Sequence, residues 1–476
     1  MTTEALSQQQ AKPPYFTAPA RDWGRAIGFL LLCSLAGLKF YPALIFIALL
    51  LISRVRWRKD RYFFLVEFII FCTGSGLVGY STYAVRPCDF AFIFAAIGIM
   101  IYRKNGLVRR ITLAMLAYFA VLFILAFMSI EPMKNQITQI RYYLLIIGFF
   151  IPLVTFADKD FDFRRLMYVI ILHALAICGF YVIDTFVLTG FILTPGSHSW
   201  GVSTITAPVI ATFTLTRHYP PGLYWLLLLI IPLNYKLMRL RWYHWALIAL
   251  ALVSSRTNSL LFALIVCFVF FRPKIRQVMI YTVIGAVGLT GLYLTDKAIG
   301  GSLRLADNIE SFGMLSTAVD EEDIADFGSG RVAQILPKWE LLYDLKREWI
   351  GFGFLNREKT TNPIFQIENQ YYSDQSKAEE AATGVEVTEI QTILDVGFIG
   401  LIAQMAFYIG VYFMIRRLRY SNYYLCLLVG FEVLGVGGFA GLNGIQYSLL
   451  ILGMILGGII LADRRSTKPI ASTETI

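Results

Sequence analysis

Charged residues, histidines and recognisable catalytic motifs are all scarce in this sequence. Only 16% of its 476 residues are Asp, Glu, Lys or Arg, while 57% are hydrophobic. Soluble domains carry about 25% charged residues, so the shortage of charge excludes an ordinary soluble protein. The composition instead predicts a single integral membrane domain.

The four histidines and six cysteines form no pattern that binds a metal or builds disulfides. The histidines show no HExxH pair, and there is no CxxC motif. All cysteines but Cys88 lie in apolar runs, so we interpret them as small core residues rather than a disulfide framework. A P-loop, a GxSxG elbow and a dinucleotide fingerprint are also missing. We therefore expect no cofactor and no catalytic metal.

The charges that are present are distributed unevenly. A hydrophilic insert, residues 296–388, holds 17 Asp and Glu against nine Lys and Arg, so it carries about −8 and the remainder of this +10 chain about +18. Basic residues favour short cytoplasmic loops, whereas large hydrophilic segments cross the membrane regardless of charge. We therefore predict that the insert is extracytoplasmic. The basic clusters are expected to meet anionic lipid rather than nucleic acid.

Apolar runs on both sides of the insert predict an all-α, polytopic integral membrane protein. About 20 apolar residues cross a bilayer as a helix, and the runs allow 12 to 14 transmembrane helices. One run, 203–235, is expected to cross an odd number of times around a break at Pro220–Pro221. The predicted regions are a cytoplasmic tail (1–25), transmembrane helices (26–295), the large extracytoplasmic loop domain (296–388), C-terminal transmembrane helices (389–463) and a cytoplasmic tail (464–476).

Two arginines are candidate ligands for an anion. Arg256 lies in SSRTNSLLFAL, between two hydrophobic half-runs, and an arginine near the middle of an apolar segment costs about 3 kcal/mol on insertion scales. Arg331 follows Gly328 and Gly330 at the start of an amphipathic helical pattern, where a helix N-terminus would add partial positive charge. A guanidinium binds phosphate oxygens bidentately. The alternatives are an interfacial arginine in a short outer loop for Arg256 and a structural salt bridge for Arg331.

Three acidic residues near the end of the insert are candidates for acid–base chemistry. Glu386, Glu389 and Asp395 lie in GVEVTEIQTILDVGFIG, directly before and within the next apolar run. A carboxylate at the mouth of a membrane cavity can act as a general base. Glu386 and Glu389 are three residues apart and therefore share one helix face. The alternative is a polar helix end without a chemical role.

Aromatic residues of the insert are candidate sugar contacts. Trp339, Tyr371 and Tyr372 offer flat apolar faces in an otherwise hydrophilic segment, as does Trp349. The alternative interpretation is that these rings pack inside the protein or anchor it at the membrane interface.

The order of these features resembles the O-antigen polymerase and O-antigen ligase superfamily of bacterial membrane glycosyltransferases, over roughly residues 200–415. The similarity begins with the Ser255-Arg256 pair. It continues in an outer loop that starts with Ser329-Gly330-Arg331 and contains Trp339 and Gly351-Phe352-Gly353. It ends in a helix entering Asp395–Gly400, where the family has Glu-Leu-Gly-Leu-Ile-Gly.

The resemblance implies a GT-C-like helical arrangement and a metal-independent, inverting glycosyltransferase. Its donor would be a glycan on undecaprenyl diphosphate at the outer face of the bacterial inner membrane. Arg256 and Arg331 would bind the diphosphate and stabilise it as the leaving group, while Glu386 or Glu389 would act as the base. The implied partners are lipid-linked oligosaccharides, membrane lipids and a chain-length regulator.

This sequence departs from the family pattern just before the final helix, and the departure bears on the choice between polymerase and ligase activity. Ligases carry a His-Asn pair before the final helix, and counting back from Gly397 places Glu386 and Val387 there. Glutamate can serve as a base but is never cationic like histidine. We therefore predict a polymerase that transfers the growing glycan to the next lipid-linked repeat unit. The alternatives are an O-antigen ligase acting on lipid A core and a lipid-linked oligosaccharide flippase or transporter, which should carry charges along a central path.

Overall fold

The structure is a computed structural model in which the main described segments are helical. It describes residues 13–37, 40, 42–73, 87–130, 133–157, 161–186, 199–207, 211–218, 221–230, 233, 235–253, 258–270, 331–354, 387–436 and 446–466, with six single positions between 280 and 294. The chain divides into two compact units. The first comprises Met1–Ala84, Asp160–Ser203 and Leu215–Thr257, and the second Val85–Lys159, Thr204–Thr214 and Asn258–Ile476.

The helices are numbered along the described chain. They are α1 (Ala20–Gly37), α2 (Pro42–Arg56), α3 (Arg61–Thr73), α4 (Phe90–Tyr102), α5 (Gly106–Phe127), α6 (Met133–Tyr143), α7 (Phe150–Thr155), α8 (Phe163–Phe186), α9 (Trp242–Val253), α10 (Asn258–Phe270), α11 (Arg331–Asp344), α12 (Thr388–Ile415), α13 (Ser421–Val436) and α14 (Gln446–Ser466). Short 3-10 helices occupy Pro87–Asp89, Leu145–Phe149 and Pro221–Leu229.

Three helices of the described chain are long and apolar enough to cross a membrane. They are α5, α12 and the part of α8 from Phe163 to Asp184. Shorter apolar helices include α9, α13 and most of α14. These helices agree with the predicted helical membrane protein. The count of 12 to 14 spans, the GT-C-like arrangement and the extracytoplasmic loop domain stay predictions.

The apolar run 203–235 differs from its predicted helical crossing. Its first part belongs to a two-stranded sheet of β1 (Ser199–Ala207) and β2 (Ala211–His218), followed by the 3-10 helix Pro221–Leu229. The prediction of helix is therefore wrong for the residues in the two strands. Their sequences, SWGVSTITA and ATFTLTRH, are rich in β-branched residues and alternate threonine with apolar side chains, a pattern that favours strands over helix.

A buried group of ionisable side chains joins three helices of the first unit. Glu67 of α3 is fully buried, and its Oε2 lies 2.7 Å from Nε of Arg54 on α2. Its Oε1 lies 3.4 Å from Nε2 of His173 on α8. The other imidazole nitrogen, Nδ1, is 2.8 Å from the carbonyl oxygen of Val169. Buried charges are costly unless they are paired, so this ion group ties α2, α3 and α8 together.

Helix α14 packs closely on backbone in the second unit. Gly453 and Gly457 are four residues apart, so they lie on one face of α14. A Cβ added at Gly453 would lie 2.7 Å from the backbone nitrogen of Phe149, and one at Gly457 would meet the carbonyl oxygen of the same residue. Small residues at this spacing allow helices in membranes to approach closely.

All six cysteines are buried, in agreement with their interpretation as core residues. Two of them meet across the second unit. Cys267 Sγ of α10 lies 3.0 Å from the carbonyl oxygen of Cys426, and Cys426 Sγ of α13 lies 3.2 Å from the carbonyl oxygen of Cys267. This reciprocal contact fixes the position of α10 relative to α13 along the helix axes.

Candidate functional site

Helix α12, which ends the hydrophilic insert, is broken at Gly397. This glycine has φ 66° and ψ −175°, whereas the residues before and after it are helical. A positive φ is readily adopted only by glycine. The break interrupts the ladder of backbone hydrogen bonds, which leaves carbonyl groups before Gly397 and amide groups after it in need of partners.

A tight turn from the insert supplies those partners. The amides of Phe352 and Gly353 donate to the carbonyl oxygens of Leu394 and Asp395, at 2.7 and 2.8 Å. In return, the amide of Phe398 donates to the carbonyl oxygen of Glu348 at 2.9 Å. The amide of Ile399 likewise donates to the carbonyl oxygen of Trp349 at 3.1 Å. The two segments therefore satisfy each other's backbone, and we call this arrangement the interlocked break (residues 348–353 with 394–399).

Glycines make the close approach at the interlocked break possible. Gly351 has φ 71°, and a Cβ added there would lie 2.6 Å from the carbonyl carbon and oxygen of Asp395. A Cβ added at Gly397 would collide with the backbone of Trp349 and Ile350. Contacts this short do not occur for real Cβ atoms, so side chains at these positions would force the two segments apart.

Residues that follow α5 hold the same turn from its other side. The carbonyl oxygen of Phe352 accepts hydrogen bonds from the Ser129 hydroxyl at 2.9 Å and from the Ile130 amide at 3.0 Å. The buried amide side chain of Gln136 pairs with the backbone of Phe354: Nε2 donates to its carbonyl oxygen at 3.1 Å, and Oε1 accepts from its amide at 2.6 Å. The turn is therefore fixed on two sides.

Arg347 anchors the start of the turn. Its Nε donates to the carbonyl oxygen of Gly351 at 2.8 Å, and its guanidinium also donates to the carbonyl oxygen of Met128. Partial burial lowers the pKa of Arg347 from its usual value. Because an arginine begins from so high a pKa, the side chain stays charged at neutral pH.

The carboxylate of Asp395 is used inside the fold. It is buried, and its Oδ2 accepts the Tyr143 hydroxyl at 2.8 Å while its Oδ1 accepts the Gln391 amide at 2.6 Å. These donors give both oxygens of the buried carboxyl group a hydrogen-bond partner. Asp395 therefore connects α6 to the interlocked break, and its hydrogen bonds fit the positioning of α12 better than attack on a substrate.

The aromatic candidates of the insert differ in their surroundings. Trp339 of α11 is partly buried and packs on the apolar cluster that contains Leu342 and Leu394. Its ring centroid lies 6.1 Å from that of Phe398 in an edge-on contact. Packing is thus a sufficient role for Trp339, and its contact with sugar stays a prediction. Trp349 contacts the same Phe398 ring at 5.9 Å, yet 61% of Trp349 is exposed.

The structure describes only some of the residues that the sequence predicts for the site. Arg256, Glu386, Tyr371 and Tyr372 lie outside the described residues. Arg331 is the first residue of α11, as the glycine-rich sequence before it predicts, and α11 packs against α12 through Leu342. Glu389 lies in the first turn of α12. The interlocked break therefore links the helix that starts at Arg331 to the helix that carries Glu389.

Glu389 meets a second carboxyl group that the sequence reasoning missed. The carboxyl group of Glu432 on α13 lies within hydrogen-bonding range of that of Glu389. A buried oxygen on each side chain, Glu389 Oε2 and Glu432 Oε1, has no hydrogen-bond partner. A hydrogen bond between two carboxyl groups requires a proton on one of them. The available signal was a lone acidic residue inside the apolar sequence SNYYLCLLVGFEVLGV, a placement that is rare without a function.

No protein-family model matches this chain, and no curated protein is significantly similar to it. The site must therefore be judged by its own geometry. Among the described side chains, no group of three or more His, Cys, Asp and Glu residues is arranged to hold a metal ion. What the described residues offer is Glu389 in the first turn of a broken helix, close to Glu432 of α13. A second helix, which begins with an arginine, packs beside the broken one.

Proposed function

We propose that this protein is a polysaccharide polymerase of a bacterial inner membrane, with many transmembrane helices and an active site on the periplasmic side. It would transfer a growing O-antigen or exopolysaccharide chain from undecaprenyl diphosphate to the next lipid-linked repeat unit. The reaction would use no metal or cofactor, and a chain-length regulator is the expected partner.

The interlocked break is the observation that carries this proposal. Gly351-Phe352-Gly353 and Asp395–Gly400 are two of the segments on which the resemblance to O-antigen polymerases rests, and they share backbone hydrogen bonds. This contact fixes one end of the outer loop against the helix that begins beside Glu389. It supports a site in which an arginine of the loop and a carboxylate of the helix act on one substrate.

The proposed transfer forms one bond and breaks another. The acceptor hydroxyl oxygen attacks the anomeric carbon while its proton passes to a carboxylate base. The bond from that carbon to the diphosphate oxygen breaks, and its electron pair leaves with the diphosphate. Negative charge therefore grows on the diphosphate, where Arg256 and Arg331 would stabilise it.

Glu389 is the base favoured by its surroundings. It lies in the first turn of α12, where the partial positive charge of the helix N-terminus favours a carboxylate. A carboxylate at this position can accept a proton from a substrate hydroxyl. Glu386, three residues earlier, is the competing candidate.

The proposal can be tested with the purified full-length protein in detergent. It is incubated with a lipid-diphosphate-linked repeat unit in EDTA, and the glycans are separated on a gel. A ladder of lengthening glycans is the expected result. A single unchanged band would contradict polymerase activity. Adding a lipid A core acceptor then tests for ligase activity, and measuring movement of the lipid-linked unit across liposomes tests for a flippase.

A further inference from the structure

We propose that Glu432 is a positioning residue that donates a hydrogen bond from its protonated carboxyl group to Glu389 and so keeps Glu389 ionised as the base. This inference rests on the proposed function, because it assigns the state of the same site. It is carried by the contact between the two side chains and by their opposite positions on their helices.

Helix ends decide which of the two carboxyl groups holds the proton. Glu389 is in the first turn of α12, where unpaired backbone amides favour negative charge. Glu432 is near the C-terminal end of α13, which ends at Val436, and the carbonyl groups there disfavour negative charge. Two adjacent buried carboxylates cannot both be charged without strong repulsion. The proton therefore belongs on Glu432, and the negative charge on Glu389.

The structure leaves room for this contact. Gly435 lies three residues after Glu432, on the same face of α13. A Cβ added at Gly435 would lie 2.8 Å from the carboxyl carbon of Glu389. Glycine at this position lets the Glu389 side chain lie against α13 and reach Glu432. The paired state thus depends on the shape of α13 as well as on the two carboxyl groups.

Two tyrosines near the pair are neutral in ordinary conditions. Tyr118 of α5 and Tyr408 of α12 lie within electrostatic range of Glu432. Their hydroxyl groups are buried without hydrogen-bond partners. Helix α10, which packs on α13, carries Cys267 as its one titratable side chain. The other packed helices carry charged residues: Arg109 and Arg110 on α5, Arg331, Lys338, Glu340 and Asp344 on α11, and Asp463, Arg464 and Arg465 on α14.

The catalytic step changes the number of protons on the pair from one to two. The acceptor hydroxyl gives its proton to Glu389 while Glu432 keeps its own, and the departing diphosphate takes the electron pair of the broken glycosidic bond. Release of the extra proton to water restores the starting state. Without a donor at position 432, the buried Glu389 would hold its proton more tightly and would be ionised only at higher pH.

The first test measures polymer formation against pH for three variants of the full-length protein. In Glu432→Met, the acidic limb of the profile is expected to move to higher pH by about one to two units. Raising the pH should restore its activity. Glu432→Gln retains an N–H donor and is expected to shift less. Glu340→Gln, at an exposed position of α11, is the matched control and should follow the wild-type profile. A Glu432→Met profile that is merely lower at every pH would overturn the proposal.

Infrared spectroscopy provides a readout that does not depend on activity. The carbonyl stretch of a protonated carboxyl group is expected at neutral pH in the wild-type protein, to disappear from the Glu432→Gln spectrum and to shift in Glu389→Gln. Identical wild-type and Glu432→Gln spectra would overturn the shared proton. The spectra could also change as expected while the wild type makes no polymer. That result would overturn the polymerase function and the role of Glu432 in transfer. The protonated pair itself would stand.

Discussion

Gly397 lies so close to the backbone of Trp349 that no side chain fits between them. The contact joins a helix at the end of the hydrophilic insert to a turn within it. Since Gly397 also has φ 66°, both space and backbone conformation require glycine. Among the residues of α12, Gly397 is therefore the one on which the interlocked break depends most.

Replacing Gly397 with alanine should open the interlocked break. Alanine strains the backbone by about 1–3 kcal/mol at this φ and ψ, and its Cβ adds a collision with Trp349. We expect a lower unfolding temperature in detergent and loss of polymer. Gly410→Ala is the matched control, because Gly410 lies in the same helix with nothing within 4 Å of an added Cβ. Equal unfolding temperatures for the two variants would contradict the described geometry.

Tyr143→Phe should destabilise the protein by leaving Asp395 with fewer donors. The Tyr143 hydroxyl donates to Asp395 Oδ2 at 2.8 Å in a buried setting. Loss of a hydrogen bond to a charged group costs about 1.5–3 kcal/mol, which equilibrium unfolding in denaturant can measure. Tyr343→Phe, at a position that is 68% exposed, should change stability little. If both variants unfold alike, the Tyr143 hydroxyl does not support Asp395.

Glu67→Gln should destabilise the folded protein far more than the loss of a partly exposed carboxylate does. It would leave Arg54 buried without its 2.7 Å partner, and breaking a buried ion pair costs about 3–5 kcal/mol. The control is Asp60→Asn, which removes the 2.7 Å pair with Arg25 in a partly exposed position and should cost about 0–1 kcal/mol. Thermal unfolding of the two variants under one condition measures the difference. A similar loss in both would argue against the buried ion group.

Local sequence patterns could predict only part of this structure. The glycines before Arg331 predicted where α11 begins, and apolar surroundings predicted the buried cysteines. The strands at Ser199–Ala207 and Ala211–His218 were missed because averaged hydropathy does not distinguish a threonine-rich alternating run from a helix.

The interlocked break could not be read from the sequence, since its partners are distant. Ser129 and Gln136 bond to residues more than 200 positions later. The same reason hid the contact between Glu389 and Glu432. Periodicity reports which face of a helix is buried, but the partner on another helix is decided by packing.

Cys267 and Cys426 should form a cross-link on mild oxidation. Each Sγ lies within 3.2 Å of the other residue's carbonyl oxygen, so the two thiols share one small volume. We would keep only these two cysteines and insert a protease site at 320–326. After oxidation with copper phenanthroline and cleavage, the fragments should stay joined until a reductant is added. A variant that keeps Cys267 alone is the control. Fragments that separate without reductant would show that α10 and α13 do not pack as described.

Arg331→Ala is expected to abolish polymer while the protein remains folded in the membrane. Arg331 begins α11, and the backbone amides at a helix N-terminus favour an anion. If Arg331 stabilises the departing diphosphate, its removal should lower the rate by about 100-fold or more, as removal of one donor to a developing anion does in other enzymes.

Lysine distinguishes diphosphate binding from a structural role for both arginines. Arg331→Lys and Arg256→Lys should rescue poorly, because an ammonium group cannot form the bidentate contact of a guanidinium. Arg417→Ala, an exposed position after α12, is the control for loss of positive charge. Ladder assays with the lipid-diphosphate-linked repeat unit compare the variants at equal protein levels. Full activity in Arg331→Ala or Arg256→Ala would remove that residue from the site. Rescue by lysine to the wild-type rate would instead mean that the site needs only a positive charge there, as a structural salt bridge does.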